Sequence, residues 1–247
     1  MAQLDGKTAW ITGGGSGIGA AAARSLAEAG ADIVVSGRRS EPLETIAEEI
    51  RSSGGKARTL VLDVSDAVAV RNAVDAIGPV DILVASAGLN VPGRAMDRIS
   101  DEDWSYVVDI NLNGVFHTAR AVLPGMRQKG DGLLILISSW AGRYASRLTG
   151  AAYNATKRAV IALSESINEE EGAHGIRSTV VMPGEVVTDI LKSRPVPPSA
   201  EEQARMLKAE DLGATIRFLA ELPSRACINE LLISPTWNRF YQGFDEA

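Results

Sequence analysis

Thr12-Gly13-Gly14-Gly15-Ser16-Gly17-Ile18-Gly19 is the stretch that decides how this chain folds. Before it, Lys7–Thr12 is a short apolar run of strand character, and after it an Ala-rich helical pattern runs from about Gly17 to Ala29. Glycines between a strand and a helix permit a tight turn and let backbone amides approach a ligand closely. The helix N-terminus adds unsatisfied N–H donors and the positive end of its dipole, which together suit a pyrophosphate. No Lys-Ser/Thr follows Gly19, so a nucleoside-triphosphate loop is excluded and a dinucleotide is expected.

Outward from this turn, strand-like runs recur at Asp32–Ser36, Ala57–Leu62, Asp81–Ala85, Gly132–Ser138, Ile176–Val181 and Glu230–Ser234. Helical patterns separate them near Glu41–Arg51, Ala67–Ile77, Asp101–Gln128, Ala151–Glu171 and Asp211–Glu221. The strands lack apolar–polar alternation, as expected where both sheet faces are covered. Repeated β-α-β order implies parallel strands with right-handed crossovers. The expected fold is α/β: one Rossmann-like, doubly wound domain over residues 1–247, with a mostly seven-stranded parallel sheet flanked by helices. Lys192–Ala200, with Pro195, Pro197 and Pro198, cannot be regular helix, and an acidic helical piece, Glu201–Lys208, follows. Because it comes after the sixth strand, at the carboxyl edge where open sheets bind ligands, residues 189–209 read as a substrate loop rather than plain surface.

Composition narrows the function. The 247 residues carry a net charge of −6 with no basic tract, which argues against nucleic acid as a partner. No apolar stretch is long enough to cross a bilayer, and the start lacks the layout of a secretory signal. Cys227 is alone, so no internal disulfide forms, and a single Cys with two His argues against a metal site. A cytoplasmic protein with no membrane partner is expected.

Tyr153 and Lys157 stand four residues apart, one turn along a helix face, with Ser139 upstream. An ordinary Tyr titrates near pH 10, and a neighbouring ammonium favours the phenolate. A Ser hydroxyl nearby would hydrogen-bond the same substrate oxygen that Tyr protonates or deprotonates, which is general acid–base chemistry at one atom. Alone, the pair is weak evidence and reads more readily as a surface Tyr beside a solvated Lys, because the two meet at this spacing by chance in many helices. At the end of the second strand, Ser36-Gly37-Arg38-Arg39 places two Arg and no acid where an NAD site carries a carboxylate for the ribose 2′-hydroxyl. Arg38 and Arg39 therefore favour NADP(H), with NAD(H) still compatible. Asp63-Val64 after the third strand would meet the adenine, unless Asp63 merely starts a helix.

Taken in order, these residues resemble the short-chain dehydrogenases/reductases over essentially the whole chain. The matches are Thr12–Gly19, Asp63, Ser86-Ala87-Gly88, Asn111, Ser139, Tyr153 with Lys157, and Pro183-Gly184 with Thr188. The resemblance implies Tyr153 as acid–base, Ser139 as partner of the substrate oxygen, Lys157 holding the nicotinamide ribose and lowering the Tyr153 pKa, and Asn111 in a water-linked relay. It implies cofactor contacts at Thr12, Gly13, Gly15, Ser16, Gly17, Ile18, Gly19, Ala87 and Gly88, and at Pro183, Gly184, Val186 and Thr188 around the nicotinamide. A homo-oligomer, tetramer or dimer, is implied too, with Asp101–Gln128 and Ala151–Glu171 as the interface helices. Three departures stand out. Ser86 sits where the family commonly has Asn, Ser139 lies fourteen residues before Tyr153, and Thr156 replaces a Ser. Ser86 throws sheet support at that corner into question.

The expected activity is hydride transfer between a nicotinamide and a secondary alcohol or ketone. The alternative is a dinucleotide-binding regulator without turnover, and a third option is a lyase or dehalogenase on the same fold. Intact Tyr153, Lys157 and Thr12–Gly19 disfavour both. Candidates for the pocket wall are Asn90, Val91, Arg94, Trp140, Tyr144, Glu185 and Met206. Trp140 and Tyr144 read equally as an apolar face or as packed core. Arg94, Arg143 and Arg147 raise the option of an anionic substrate such as a hydroxy acid against the plainer reading of solvated loop arginines, and Glu185 would repel a carboxylate or bind an amine or hydroxyl, so the signals conflict.

Overall fold

Seven parallel strands form one sheet, in the order β3-β2-β1-β4-β5-β6-β7, in the computed structural model, which describes residues 3–194, 196–238 and 241. The strands are β1 (Thr8–Thr12), β2 (Asp32–Gly37), β3 (Lys56–Val61), β4 (Ile82–Ala85), β5 (Gly132–Ile137), β6 (Ile176–Pro183) and β7 (Glu230–Ile233). Their buried residues split by parity: in β5, Leu133, Ile135 and Ile137 join one core, and Leu134 and Leu136 join the other. Successive side chains of a strand point to opposite faces, so a strand covered on both must be apolar throughout. That is why alternation was missing from the sequence.

One core lies under α1 (Gly17–Glu28), α2 (Ser40–Ser52) and α9 (Ala209–Glu221). The other lies under α3 (Ala67–Ile77), α5 (Gly114–Lys129) and α7 (Ala151–Glu171). The chain reverses direction across the sheet between β1 and β4, where Thr12 pairs with Ala85. This switch point opens a crevice beyond the strand ends, and ligands of open α/β sheets bind there. Helix starts are marked chemically. Asp66 accepts from the amides of Val68 and Ala69 to cap α3, and Ser100 accepts from the Asp103 amide to start α4 (Asp101–Val108).

Strand boundaries fall within two residues of those expected, and three local features differ. The single helix expected over Asp101–Gln128 is divided: α4 passes into a π-turn at Asp109–Asn113 before α5. A short helix α6 (Trp140–Arg143) and 3₁₀ turns at Gly172–His174 and Asp189–Ser193 were not foreseen. The helix expected over Glu201–Lys208 shrinks to α8 (Ala200–Ala204), started by a capping box between Ser199 and Glu202. The segment after β6 is pinned at both ends, because Val187 N donates to Leu207 O at 2.9 Å and Leu207 N to Glu185 O at 3.0 Å. Pro195, part of the expected substrate loop, lies outside the described residues.

Candidate active site

A cavity of about 420 Å³ opens at the switch point. It brings together Gly13, Ser16, Gly17 and Ile18 of the glycine turn, Gly88 after β4, Ser139, Tyr153 and Lys157, and Pro183, Gly184, Val186 and Thr188 after β6. The turn itself is built by close approach: a Cβ on Gly19 would lie 2.4 Å from Gly13 O. Across the cavity Thr188 Cγ2 stands 3.0 Å from where a Cβ of Gly17 would be, so the β6 loop faces the turn directly. Ser16, at the N-cap of α1, makes no side-chain cap bond, and the first turn of α1 holds no acid. The amides there therefore remain available to an anion, and a cradle a side chain would fill fits a pyrophosphate.

Several expected cofactor residues lie beside the cavity rather than on its wall. Thr12 is buried, and its Oγ1 accepts from the amides of Ser86 and Ala87, both at 3.2 Å. This bond ties β1 to the turn after β4 and answers the question raised by Ser86, whose side chain is not needed for that support. Gly15 packs on Pro42. Arg38 and Arg39 are exposed at the end of β2, and Arg38 Nη1 donates to the Tyr106 hydroxyl at 2.6 Å. Asp63 Oδ1 accepts from Ser65 N at 3.0 Å and Ser65 Oγ at 2.7 Å. Burial pushes the Asp63 carboxyl up, but Ser65 and the nearby Arg38 charge outweigh it and hold it below its ordinary value. Since α3 is capped by Asp66, the reading of Asp63 as a simple helix start does not hold. Val64 is buried, its side chain packed where a Cβ of Gly114 would be.

The proton-handling groups are set by α7. Lys157 is 4% exposed, and its Nζ donates to Ile137 O at 2.8 Å and lies 5.6 Å from the centre of the Tyr153 ring. Burial lowers its pKa to about 8. Tyr153 reaches solvent through the cavity mouth, yet the surrounding protein raises its phenol above the ordinary value of 10, against a hydrogen bond with Ser139 and the charges of Arg194 and Arg94. The guanidinium groups, rather than Lys157 as expected, are the charges that draw Tyr153 downward. Ser139 is placed by α6, where its hydroxyl also accepts from Ala141 N at 3.1 Å. Helix α6 is seated on α7 so closely that a Cβ on Gly142 would stand 2.6 Å from Lys157 O. Thr156 simply bonds back to Tyr153 O at 3.0 Å.

Asn111 sits in the π-turn, fully buried, with Oδ1 accepting from Leu89 N at 2.8 Å and Nδ2 donating to Leu89 O at 2.9 Å. Its amide is therefore committed to holding the loop after β4 beside Gly88.

The pocket candidates divide. Asn90, Arg94, Trp140 and Glu185 line the cavity; Val91, Tyr144 and Met206 do not. Trp140 is buried with Tyr144 stacked on its outer side at 5.0 Å, so the first is wall and the second its cover. Arg143 reaches Glu230 at 3.6 Å, and Arg147 is exposed, so neither enters the cavity. Arg194 does, although nothing singled it out in sequence beyond being a cation inside the Pro-rich segment. Asp189, Ile190 and Leu191 join it, so the expected substrate loop supplies part of the wall.

The family model for short chain dehydrogenases matches residues 7–197. The chain belongs to that family. As a short-chain dehydrogenase it is an oxidoreductase, and its relatives agree. It is 36% identical over 241 residues to glycine betaine reductase ATRR of Emericella nidulans, covering 94% of this chain but 19% of that much longer protein. It is 35% identical over 236 residues to oxidoreductase UcpA of Escherichia coli strain K12, covering 94% of this chain and 86% of the relative. A gluconate 5-dehydrogenase from Burkholderia cenocepacia J2315, solved in complex with NADP and tartrate, superposes with a TM-score of 0.84 at 33% identity, over 93% of this short-chain dehydrogenase and 94% of the other.

Proposed function

We propose that this short-chain dehydrogenase is an NADP(H)-dependent enzyme interconverting a secondary alcohol and a ketone. The observation that carries the proposal is the meeting of Tyr153, Ser139 and Lys157 in one cavity with the open N-terminus of α1. The dinucleotide would lie along Thr12–Gly19, with its pyrophosphate on the α1 amides, its 2′-phosphate at Arg38 and Arg39, and its adenine between Asp63, Val64 and Ala87. Gly88, Pro183, Gly184, Val186 and Thr188 would surround the nicotinamide. When bound, the nicotinamide supplies or accepts the hydride at the carbinol carbon.

The chain's own residues handle the oxygen. Ser139 donates to the substrate oxygen and fixes its position against Tyr153. In reduction the Tyr153 hydroxyl gives its proton to the developing alkoxide; in oxidation its phenolate takes the proton from the alcohol. Lys157, anchored to Ile137 O, would donate to the nicotinamide ribose and return a proton to Tyr153 through a water-linked relay that includes Asn111. The raised Tyr153 pKa makes the protonated, reducing form the resting one. The tartrate held by the Burkholderia relative supports a polar, hydroxylated substrate.

We further read residues 1–247 as one domain and the protein as a cytoplasmic homo-oligomer joined through α5 and α7. No helix among the described residues is long and apolar enough to cross a membrane, and those residues hold no His/Cys/Asp/Glu cluster fit for a metal. The test is a fluorescence titration with NADPH and NADH, followed by Tyr153→Phe. NADPH is expected to bind more tightly, and removal of the phenolic proton should reduce kcat by about 10²–10⁴-fold. Failure to bind either nucleotide sinks the proposal, and so does Tyr153→Phe turnover within a few-fold of wild type.

A further inference from the structure

The chamber around Tyr153 holds more positive charge than alcohol oxidation requires. Arg94 and Arg194 both line it, and both act electrostatically on Tyr153 although they come from segments 100 residues apart. Arg94 is 6% exposed and is held in place, its Nε donating to Val91 O at 2.8 Å and its Nη1 to Leu148 O at 3.4 Å. Its backbone is pressed onto the start of α7. A Cβ at Gly150, where φ is +78°, would lie 2.3 Å from Arg94 O. The glycine therefore lets the Arg94 loop dock two positions before Ala152 and next to the helix that carries Tyr153.

Among the described residues Glu185 supplies the one buried carboxylate in the wall, and its charge does not face the cavity unopposed. Arg194 Nη1 contacts Glu185 Oε1 at 2.7 Å, with both side chains at least nine-tenths covered. Asp189 also lines the cavity, but its carboxylate is solvent-facing and paired with Lys192 at 2.6 Å. Buried charge in the wall is thus Arg94, Arg194 and Lys157 against Glu185. Burial and the Arg194 charge both weigh on the Arg94 guanidinium, and an anion placed between the two would relieve that. The conflict seen in the sequence, arginines inviting an anion and Glu185 repelling it, is resolved by the ion pair.

We propose that the substrate is a small hydroxy or oxo carboxylic acid, its carboxylate held by Arg94 and Arg194 while its alcohol or ketone oxygen meets Tyr153 and Ser139. This rests on the function proposed above. A guanidinium offers paired N–H donors that match a carboxylate, a geometry wasted on a neutral alcohol. In oxidation, the carbinol C–H and O–H bonds break and the C=O bond forms. The hydride, with its two electrons, goes to NADP⁺, and the proton goes to Tyr153. Trp140 gives the acid's chain an apolar wall.

The experiment has two arms. In the first, 2-, 3- and 4-oxo acids of four to six carbons are compared with their methyl esters as substrates for NADPH oxidation. At least one acid is expected to exceed its ester by about 10²-fold in kcat/KM, since a site built to pair a charge rejects the analogue without it. Arg94→Gln should erase most of that margin, the acid losing far more kcat/KM than the ester. Arg194→Gln alone strands Glu185 in the wall, so the double variant Arg194→Gln with Glu185→Gln is used instead. In the second arm, NADP⁺-saturated protein is melted with malonate or malonamide. Malonate is expected to raise the Tm of wild type and not of Arg94→Gln, and malonamide to do nothing. Turnover of esters or neutral ketones equal to that of the acids overturns the inference while leaving the oxidoreductase intact. So does a malonate response that survives Arg94→Gln. Loss of NADPH binding itself would instead strike the proposed function.

Discussion

Lys157→Met is expected to change how stability depends on pH, and in one window only. Lys157 sits with 4% of its surface exposed, and burial lowers its pKa from 10.5 to about 8. Below pH 8 both the folded and the unfolded chain carry the proton, so the cost of burying the ammonium is fully present. Between pH 8 and 10.5 the folded chain releases the proton while the unfolded chain keeps it. The unfolded state then binds more protons, and stability must rise with pH. The full gap corresponds to roughly 3 kcal/mol, at no more than about 1.4 kcal/mol per pH unit. Methionine removes the charge at similar length and also removes the donor to Ile137 O, now at 2.8 Å. That loss costs about 1–3 kcal/mol but does not vary with pH. The slope therefore isolates the charge, whatever the offset.

The assay is urea unfolding of both proteins at one concentration, at pH 7, 8, 9 and 10. The range stops at 10 because Tyr153, raised above its ordinary value, costs stability beyond that point in both proteins. Lys7, raised by Asp131 and Asp81 against its own burial, likewise acts only above 10.5 and is shared. Wild type is expected to gain about 2 kcal/mol over Lys157→Met between pH 8 and 10, and only about 0.3 kcal/mol between 7 and 8. Parallel curves across the whole range would refute the reasoning, because they would mean that Lys157 keeps its ordinary pKa or is not buried.

Two further outcomes can be checked with the same protein. Arg38→Ala should weaken NADPH by about 10–100-fold, the worth of one charge-assisted contact, and leave NADH within three-fold; equal losses for both nucleotides would show that Arg38 does not read the 2′-phosphate. Gly150→Ala and Gly78→Ala both force a side chain into positive φ, at +78° and +84°, but only the first meets a neighbour within 4 Å, Arg94 O at 2.3 Å. Strain in this glycine-only backbone region costs each about 1–3 kcal/mol, and Gly150→Ala should lose at least about 1 kcal/mol more by denaturant melts; equal losses would mean that the loop is not docked there.

The fold was legible because its signals are local. A glycine turn between a strand and a helix, and apolar runs without alternation, each follow from what a few neighbouring residues must do. The substrate end was legible only in part. Tyr153 and Lys157 share one helix, so their spacing carried them together, whereas Ser139 needs α6 packed on α7 through Gly142 to reach Tyr153. No periodicity announces a four-residue helix. The division of the long helix at Asp109–Asn113 was invisible too, because a π-turn keeps helical composition and betrays itself only by inserting Asn111 against Leu89. Arg194 was missed because its role depends on Glu185, nine residues away along an irregular segment. Pairings of that kind are settled in three dimensions.

That Arg194–Glu185 pair also shows why charge, and not shape alone, organises this cavity. A buried ion pair seldom adds stability against an apolar pair of equal volume, because the desolvation cost consumes the attraction. Lys157 is buried with its pKa already depressed, and Arg94 is buried within the field of Arg194. Each of these choices weakens the folded state, so folding alone gives no reason for them. A bound dinucleotide and a carboxylate would bring negative charge to both ends of the chamber, and the free energy withheld from folding would be released on binding. The same field favours the Tyr153 phenolate, against a burial that favours the phenol. Filling the chamber with an anion tips that balance toward the neutral phenol, which is the form that donates a proton to a ketone.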